Sequence, residues 1–294
     1  MLEQGTRLLT GLEHPAVTCM VAPDSSAVAA TDLTDVVVWD AYGHLLHRFS
    51  SRSAVTALAF TVDAGSVLVG DADGTVKRWS LANGGLIEEF YEWNSVGFIS
   101  TLAVSADGSF FAAGHGDGKI SLWNIDPVVV DRIRGKLRAS LPGHPGSQNN
   151  TGFMGRIDKR DPTERVLGHG GSVNACAIGT NAEVLFSGGD DCTIRTWAAT
   201  KFHFGGDVLR GHEALYGHTT KVVSVEATAD GSKLITASGD GTVLVWDINS
   251  LIGPHGADHR SHLGPVNDVS WSNDGESVAA CGDDGRITQW TVDG

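Results

Sequence analysis

Cysteine is scarce and unpaired in this 294-residue chain. Cys19, Cys176, Cys192 and Cys281 form no Cys-x-x-Cys pair, which argues against a disulfide framework or a cysteine zinc site and makes a reducing compartment the expectation. Positive charge is short as well: 21 Lys and Arg face 35 Asp and Glu, a formal net charge of −14. Phosphate backbones are held by neutralising cations, so such a chain is a poor generic nucleic-acid binder and has no attraction for an anionic membrane. No apolar run approaches the ~20 residues that cross a bilayer as a helix. The start, MLEQGTRLLTGLEHP, lacks the basic and apolar parts of a secretory signal. The expected setting is intracellular, cytoplasmic or nuclear. Catalytic patterns are also missing: there is no Gly-x-Ser-x-Gly, no phosphate loop, no His-Glu-x-x-His and no isolated cysteine with an activating histidine. The expectation is a protein without enzymatic activity, metal, cofactor or small-molecule substrate.

Glycine, in contrast, is plentiful. Its 38 residues are about twice ordinary usage, and a chain that turns so often fits an all-β repeat. Six tryptophans, Trp39, Trp79, Trp123, Trp197, Trp246 and Trp290, each end a short segment of alternating apolar residues. In five copies a β-branched residue stands 24 positions upstream: Val55, Ile99, Val173, Val222 and Val266. The first copy, anchored on Val17, is two residues shorter. Apolar residues recur three and five positions after each anchor, from Val17-Met20-Ala22 to Val266-Val269-Trp271. The anchor is out of phase with a two-residue period, which predicts a bulge where the strand begins. Asp24-Ser25, Asp107-Gly108, Asp230-Gly231 and Asp274-Gly275 then supply hairpin turns. A second turn carries an Asp six residues before the tryptophan: Asp73, Asp117, Asp191, Asp240 and Asp284.

Each copy therefore predicts three inner strands and a variable outer one, and such sheets must stack to bury both faces. Thr6–Leu12 reads as an outer strand without a sheet of its own, while the last copy lacks one. The N-terminal strand is expected to complete the last sheet and close a ring, making residues 1–294 a single domain.

These copies resemble the WD repeat. Trp-Asp stands at Trp39-Asp40 and Trp246-Asp247, and Gly-His at Gly168-His169 and Gly217-His218, with Ser261-His262 in the last copy. The resemblance covers residues 6–125 and 164–294. It implies an all-β fold, a single β-propeller of six recognisable blades, or seven if residues 126–162 hold a degenerate one. It also implies a hydrogen-bonded tetrad in each blade: His169, Ser187, Asp191 and Trp197 in the fourth, and His218, Thr236, Asp240 and Trp246 in the fifth. Other blades depart from the pattern. Ala280 replaces the hydroxyl residue in the last, and Leu33 stands where the first needs Asp. Half-satisfied buried networks are costly, so the first three blades are expected to be the softer half. The function implied is a non-enzymatic scaffold or adaptor for protein–protein interactions, within a multiprotein complex. A structural subunit of an RNA-containing or trafficking assembly is the alternative, and an enzyme on the same scaffold a distant third.

Several residues are candidates for partner contact. The insertion at 126–162 carries Arg132, Arg134, Lys136 and Arg138 in alternation, a strip for an acidic partner or RNA, or else an outer strand whose charges discourage edge-to-edge pairing. Trp93 and Phe98 lie in an aromatic stretch between the second and third copies, and Tyr216 lies before His218. With Asp190 and Asp283, beside the tetrad aspartates, they are candidate contacts for a peptide or domain at the rim. His255, Asp258, His259 and His262 have metal-like spacing, but register assigns His262 to a tetrad.

Overall fold

The computed structural model describes residues 9–91, 97–125, 137–141, 169–179, 184–198, 211–228, 231–248, 259–260, 262–272 and 274–292. All regular structure among them is β-strand, arranged as six antiparallel sheets that follow one another along the chain. Sheet 1 holds β1 (Thr18–Val21), β2 (Ala27–Thr31), β3 (Asp35–Asp40) and β4 (Leu45–Ser50). Sheet 2 holds β5 (Val55–Phe60), β6 (Ser66–Asp71), β7 (Thr75–Ser80) and β8 (Leu86–Tyr91). Sheet 3 holds β9 (Ile99–Val104), β10 (Phe110–His115), β11 (Ile120–Asn124) and β12 (Leu137–Leu141). Sheet 4 holds β13 (Val173–Ile178), β14 (Val184–Gly189), β15 (Thr193–Ala198) and β16 (Gly211–Tyr216). Sheet 5 holds β17 (Val222–Ala227), β18 (Lys233–Ser238), β19 (Thr242–Asp247) and β20 (His259–Arg260). Sheet 6 has three strands, β21 (Val266–Trp271), β22 (Ser277–Gly282) and β23 (Ile287–Thr291).

The turns form as their residues dictate. Asp24, Asp63, Asp107 and Asp274 each accept the backbone N–H two residues on, at 2.9–3.0 Å. The intervening residue takes a positive φ, +60° at Ser25 and near +70° at Gly108 and Gly275. The expected bulges are present too: register shifts follow the anchors Val55, Val173, Val222 and Val266. The first copy is corrected by one residue. Trp39 lies across from Val28 and Val28 from Val21, as Trp197 lies across from Leu185 and Ile178. Cys19 and Val21, not Met20 and Ala22, therefore occupy the core-pattern positions, and Ala16 rather than Val17 the anchor position. Ala22 instead packs toward sheet 2 with Ala29 and Val38.

The core is divided among the sheet-to-sheet interfaces. Sheets 2 to 6 each turn a leading face, bearing the tryptophan, to the preceding sheet, and sheets 1 to 5 each turn a trailing face to the next. At one joint Ala57, Leu68 and Val76 on sheet 2 meet Ile99, Leu102, Phe111 and Trp123 on sheet 3. Full burial of each aliphatic side chain contributes about 1.5–3 kcal/mol, so every joint adds substantially to stability. The anchors sit where the facing residue is small. A Cβ on Gly70 would lie 2.5 Å from Ile99 Cγ2, and one on Gly114 2.8 Å from Val173 Cγ1.

Part of the expected insertion belongs to a sheet. Leu137–Leu141 is the outer strand of sheet 3, paired with β11 from Ile120 to Trp123. Of the segment expected to close the ring, residues 1–8 lie outside the described ones. Leu9 and Leu12 pack against Ala30, Val37 and Trp39 of sheet 1, and Trp39 Nε1 donates to the Thr10 carbonyl at 3.0 Å.

Candidate functional site

In each of sheets 2 to 6 the loop entering the innermost strand meets the turn between the second and third strands. A backbone hydrogen bond joins the two: Ala72 to Ala54, Gly116 to Phe98, Asp190 to Ser172, Gly239 to Lys221 and Asp283 to Pro265, at 2.8–3.1 Å. These loops gather at one end of the sheets, and polar chains beneath them fix their shape.

In sheet 4, Trp197 Nε1 donates to Ser187 Oγ at 2.9 Å, and Ser187 lies 2.7 Å from His169 Nε2. His169 Nδ1 lies 2.8 Å from Asp191, whose other oxygen accepts the Gly170 N–H. The order that satisfies every atom has Ser187 donating to Nε2 and Nδ1–H donating to the carboxylate. Sheet 5 repeats the chain through Trp246, Thr236 and His218, with Thr242 Oγ1 interposed at 2.9 Å between the ring and Asp240. Burial works against the charge on Asp191, but the His169 bond, backbone N–H groups and Thr193 outweigh it and hold the carboxyl well below the usual range. Asp240, opposed by burial and held by Thr242 and Thr219, is lowered to about 2. The eight expected tetrad residues thus come together in two sets of four.

The other sheets reach the same end with different residues. In sheet 1 the turn is shorter, and buried Asp32, not the residue at 33, accepts the N–H groups of Glu13, His14, Thr34 and Asp35 at 3.1–3.3 Å. In sheet 2 the exposed Asp73 leaves the role to Asp71, which is buried and pairs with Lys77 Nζ at 2.8 Å and Ser51 Oγ at 3.1 Å. In sheet 3 the ring comes from the strand instead of the loop: His115 Nε2 lies 2.8 Å from Ser121 Oγ, which accepts from Trp123 Nε1. Burial pushes His115 down to about 4, so it is neutral at pH 7. In sheet 6, where Ala280 offers no hydroxyl, Thr288 supplies one at 3.1 Å to His262, whose other nitrogen meets Asp284 at 2.9 Å. The first three sheets are therefore rewired, not stripped.

Above these networks the surface is acidic and apolar by turns. Asp190 and Asp283 are exposed, and each is held by an amide from the innermost strand of its own sheet, Asn174 at 2.9 Å and Asn267 at 2.8 Å. Tyr216 is 74% exposed at the end of β16, and Leu33, Phe98 and Leu263 are exposed on the same loop end. The Phe98 ring lies over Gly116, where a side chain would collide with it. Trp93, Arg132, Arg134 and Lys136 lie outside the described residues, and Arg138 falls on β12. His255 and Asp258 also lie outside the described residues, while His262 is taken up by its network. No group of three or more metal-ligating side chains occurs among the described residues. Asp191, Asp240, Asp284 and His115, whose titration is perturbed, are all held in hydrogen-bond networks.

This order of sheets, with its tryptophan-bearing third strands and histidine-bearing loops, is that of a repeat fold whose loop end presents a fixed surface. The chain belongs to the WD-repeat family: it matches the WD domain, G-beta repeat at residues 43–80, 87–124, 161–198, 209–247 and 256–291. It is 24% identical over 282 residues to the SIR4-interacting protein SIF2 of Saccharomyces cerevisiae, covering 94% of this chain and 46% of that protein. It is 23% identical to autophagy-related protein 16 of Arabidopsis thaliana, covering 80% of this chain and 47% of the relative. Over 122 residues it is 35% identical to the ribosome biogenesis protein YTM1 of Chaetomium globosum, covering 41% of this chain and 25% of YTM1. The chain thus spans less than half the length of these relatives. Proteins of this kind serve in protein interaction, and no catalytic family is indicated.

Proposed function

We propose that this protein is a non-enzymatic interaction platform, an adaptor or subunit of a multiprotein complex inside the cell. Its six sheets act as propeller blades, and it holds a polypeptide partner at their loop end. The observation that carries this reading is the surface around Asp190 and Asp283, two exposed carboxylates fixed by asparagines, with Tyr216, Phe98 and Leu263 on the same end. Exposed aromatics on rigid loops give contact area with little loss of freedom on binding. The carboxylates, in a chain of net charge −14, favour a partner segment that carries Lys or Arg beside apolar residues. SIF2, named for an interaction with another protein, is consistent with such a role.

The test is affinity isolation of the tagged full chain from its own cells, beside a D190K/D283K/Y216A variant. All three positions are exposed, so the unfolding midpoint should not move, while a stoichiometric partner should be lost. A partner retained in full by the variant would refute this placement of the binding surface.

A further inference from the structure

Outer strand β8 is an open edge. It ends the order of sheet 2 among the described residues, so alternate N–H and C=O groups along it point away from β7. Its sequence, Leu86-Ile87-Glu88-Glu89-Phe90-Tyr91, sets two adjacent carboxylates between two apolar pairs. Leu86, Ile87 and Tyr91 are 44–53% exposed, and Glu89 is exposed with them. His47 Nε2 lies 2.8 Å from the Leu81 carbonyl, which brings the start of β4, with exposed Leu45 and Leu46, beside the turn that leads into β8. The apolar end of the edge is widened by this. The other outer strands differ in charge. β4 carries His47 and Arg48, and Arg48 is held by Asp35 at 2.9 Å. β12 carries Arg138, β20 is His259–Arg260, and β16 has a single carboxylate, Glu213.

Side chains directly opposite each other on paired strands share a face, so an added strand must match this order pair by pair. The inner neighbour shows what matches. In β7, Val76 lies across from Phe90, Lys77 from Glu89, Arg78 from Glu88 and Trp79 from Leu86. Those two cations also serve the interior of the sheet: Lys77 Nζ meets Asp71 at 2.8 Å, and Arg78 Nε donates to Ser66 Oγ at 2.8 Å. A second copy of β8 does not match. Laid antiparallel on itself in register, the strand sets Glu88 across from Glu89 twice, and like charges directly opposite are destabilising. The pair of glutamates thus guards the edge against this acidic chain and admits a basic one.

We propose that β8 takes a fifth strand from a partner protein, an extended segment that reads apolar-apolar-basic-basic-apolar-apolar. The order is the same in both directions, so it serves parallel and antiparallel placement alike. Main-chain hydrogen bonds to the open edge supply affinity, and two Lys or Arg across from Glu88 and Glu89 supply selection. The edge belongs to sheet 2, whereas Asp190 and Asp283 lie on turns of sheets 4 and 6, so this contact is additional to the one at the loop end.

The probe is a fluorescein-labelled peptide, Val-Val-Lys-Arg-Val-Phe, titrated with the purified full chain and followed by fluorescence anisotropy. The wild type should bind it, more weakly as salt rises, and binding should slow amide exchange in residues 86–91. E88K/E89K should weaken binding by about tenfold or more, and should instead prefer the same peptide with Glu-Glu in place of Lys-Arg. That reversal cannot come from an unfolded variant. Methylating every other backbone nitrogen of the probe should abolish binding in one frame and spare it in the other, because only one frame faces β8. The D190K/D283K/Y216A variant should bind the probe as the wild type does, which separates this edge from the loop end. No anisotropy change with the wild type, no reversal in E88K/E89K, equal binding in both methylated frames, or loss of the probe by D190K/D283K/Y216A would overturn the proposal.

Discussion

Ser187→Ala is the most direct probe of what holds the loop end in shape. Ser187 and the Trp197 and His169 it joins are at 0–1% exposure, so water cannot replace what the hydroxyl provides. The change removes two hydrogen bonds at once, from Trp197 Nε1 at 2.9 Å and to His169 Nε2 at 2.7 Å. Each buried group left without a partner costs about 1–3 kcal/mol, while the lost hydroxyl no longer needs desolvating, so the expected loss is about 2–4 kcal/mol. Thr236→Ala in sheet 5 removes the matching pair of bonds, from Trp246 Nε1 at 2.9 Å and to His218 Nε2 at 2.7 Å, and should cost a similar amount. The assay is urea unfolding followed by tryptophan fluorescence and circular dichroism, accepting a free energy only where the two transitions coincide. Trp197→Phe removes the indole N–H and leaves an aromatic ring in place. The cycle joining it to Ser187→Ala should show a coupling of about 1 kcal/mol or more. A Ser187→Ala cost below about 0.5 kcal/mol, or no coupling to Trp197→Phe, would refute the idea that this chain of bonds stabilises the sheet.

Acid should weaken the fold in two stages. His115 is depressed to about 4, so between its ordinary value near 6.5 and 4 the unfolded chain takes up a proton that the folded one refuses. Stability present above that range should fall by an amount on the order of 3 kcal/mol as pH drops through it, and His115→Gln should remove that part of the slope. Asp191 and Asp240 are depressed as well, so their contribution is complete above the ordinary carboxylate range and lost as pH falls from about 5 toward about 2. Urea midpoints across the pH range check both. Gly188→Ala should destabilise by about 1–3 kcal/mol, because its Cβ would meet Val222 Cβ and Val225 Cγ2 at 2.9 Å in a packed joint. Cys192 holds a φ of +63° where Gly74, Gly118, Gly241 and Gly285 stand in other sheets, so Cys192→Gly should stabilise by up to about 1 kcal/mol in thermal unfolding.

Much of this was legible in the residues. The 24-residue interval from anchor to tryptophan located the inner strands of five sheets because turn lengths are constant between them. The Asp-Gly pairs located the hairpins because few other residues tolerate that backbone. The register of the first copy was not legible: its second turn is a residue shorter, and Ala16, which is not β-branched, gives no sign of an anchor beside Val17. Asp32 was hidden by the same shortening. The outer strand Leu137–Leu141 was legible only as one of two readings of an alternating basic stretch, since an outer strand pairs on one edge only and needs no regular apolar pattern. The exposure of Val21 and Ile287 was not legible at all, because both have the same character as residues that are buried elsewhere.

The histidines explain why a network can look eroded in sequence and still be complete. In sheets 4 and 6, where the loop supplies the ring, the last residue of the second strand is glycine: a Cβ on Gly189 would lie 2.5 Å from His169 Nδ1, and one on Gly282 2.8 Å from His262 Nδ1. In sheet 5 the small Ser238 stands at that place and turns its hydroxyl to the Lys221 carbonyl. Where the loop has no histidine, that strand residue has a side chain that reaches into the space, Asp71 in sheet 2 and His115 in sheet 3. A small strand residue with the loop histidine is thus one structural choice, and a long polar strand residue without the histidine is the other. A transplant follows from this. Gly189→His should be incompatible with His169, since both rings need one volume, yet Gly189→His with His169→Ala should recover part of the stability lost by His169→Ala alone. An additive pair of losses, measured by urea unfolding, would mean that the strand position cannot substitute for the loop.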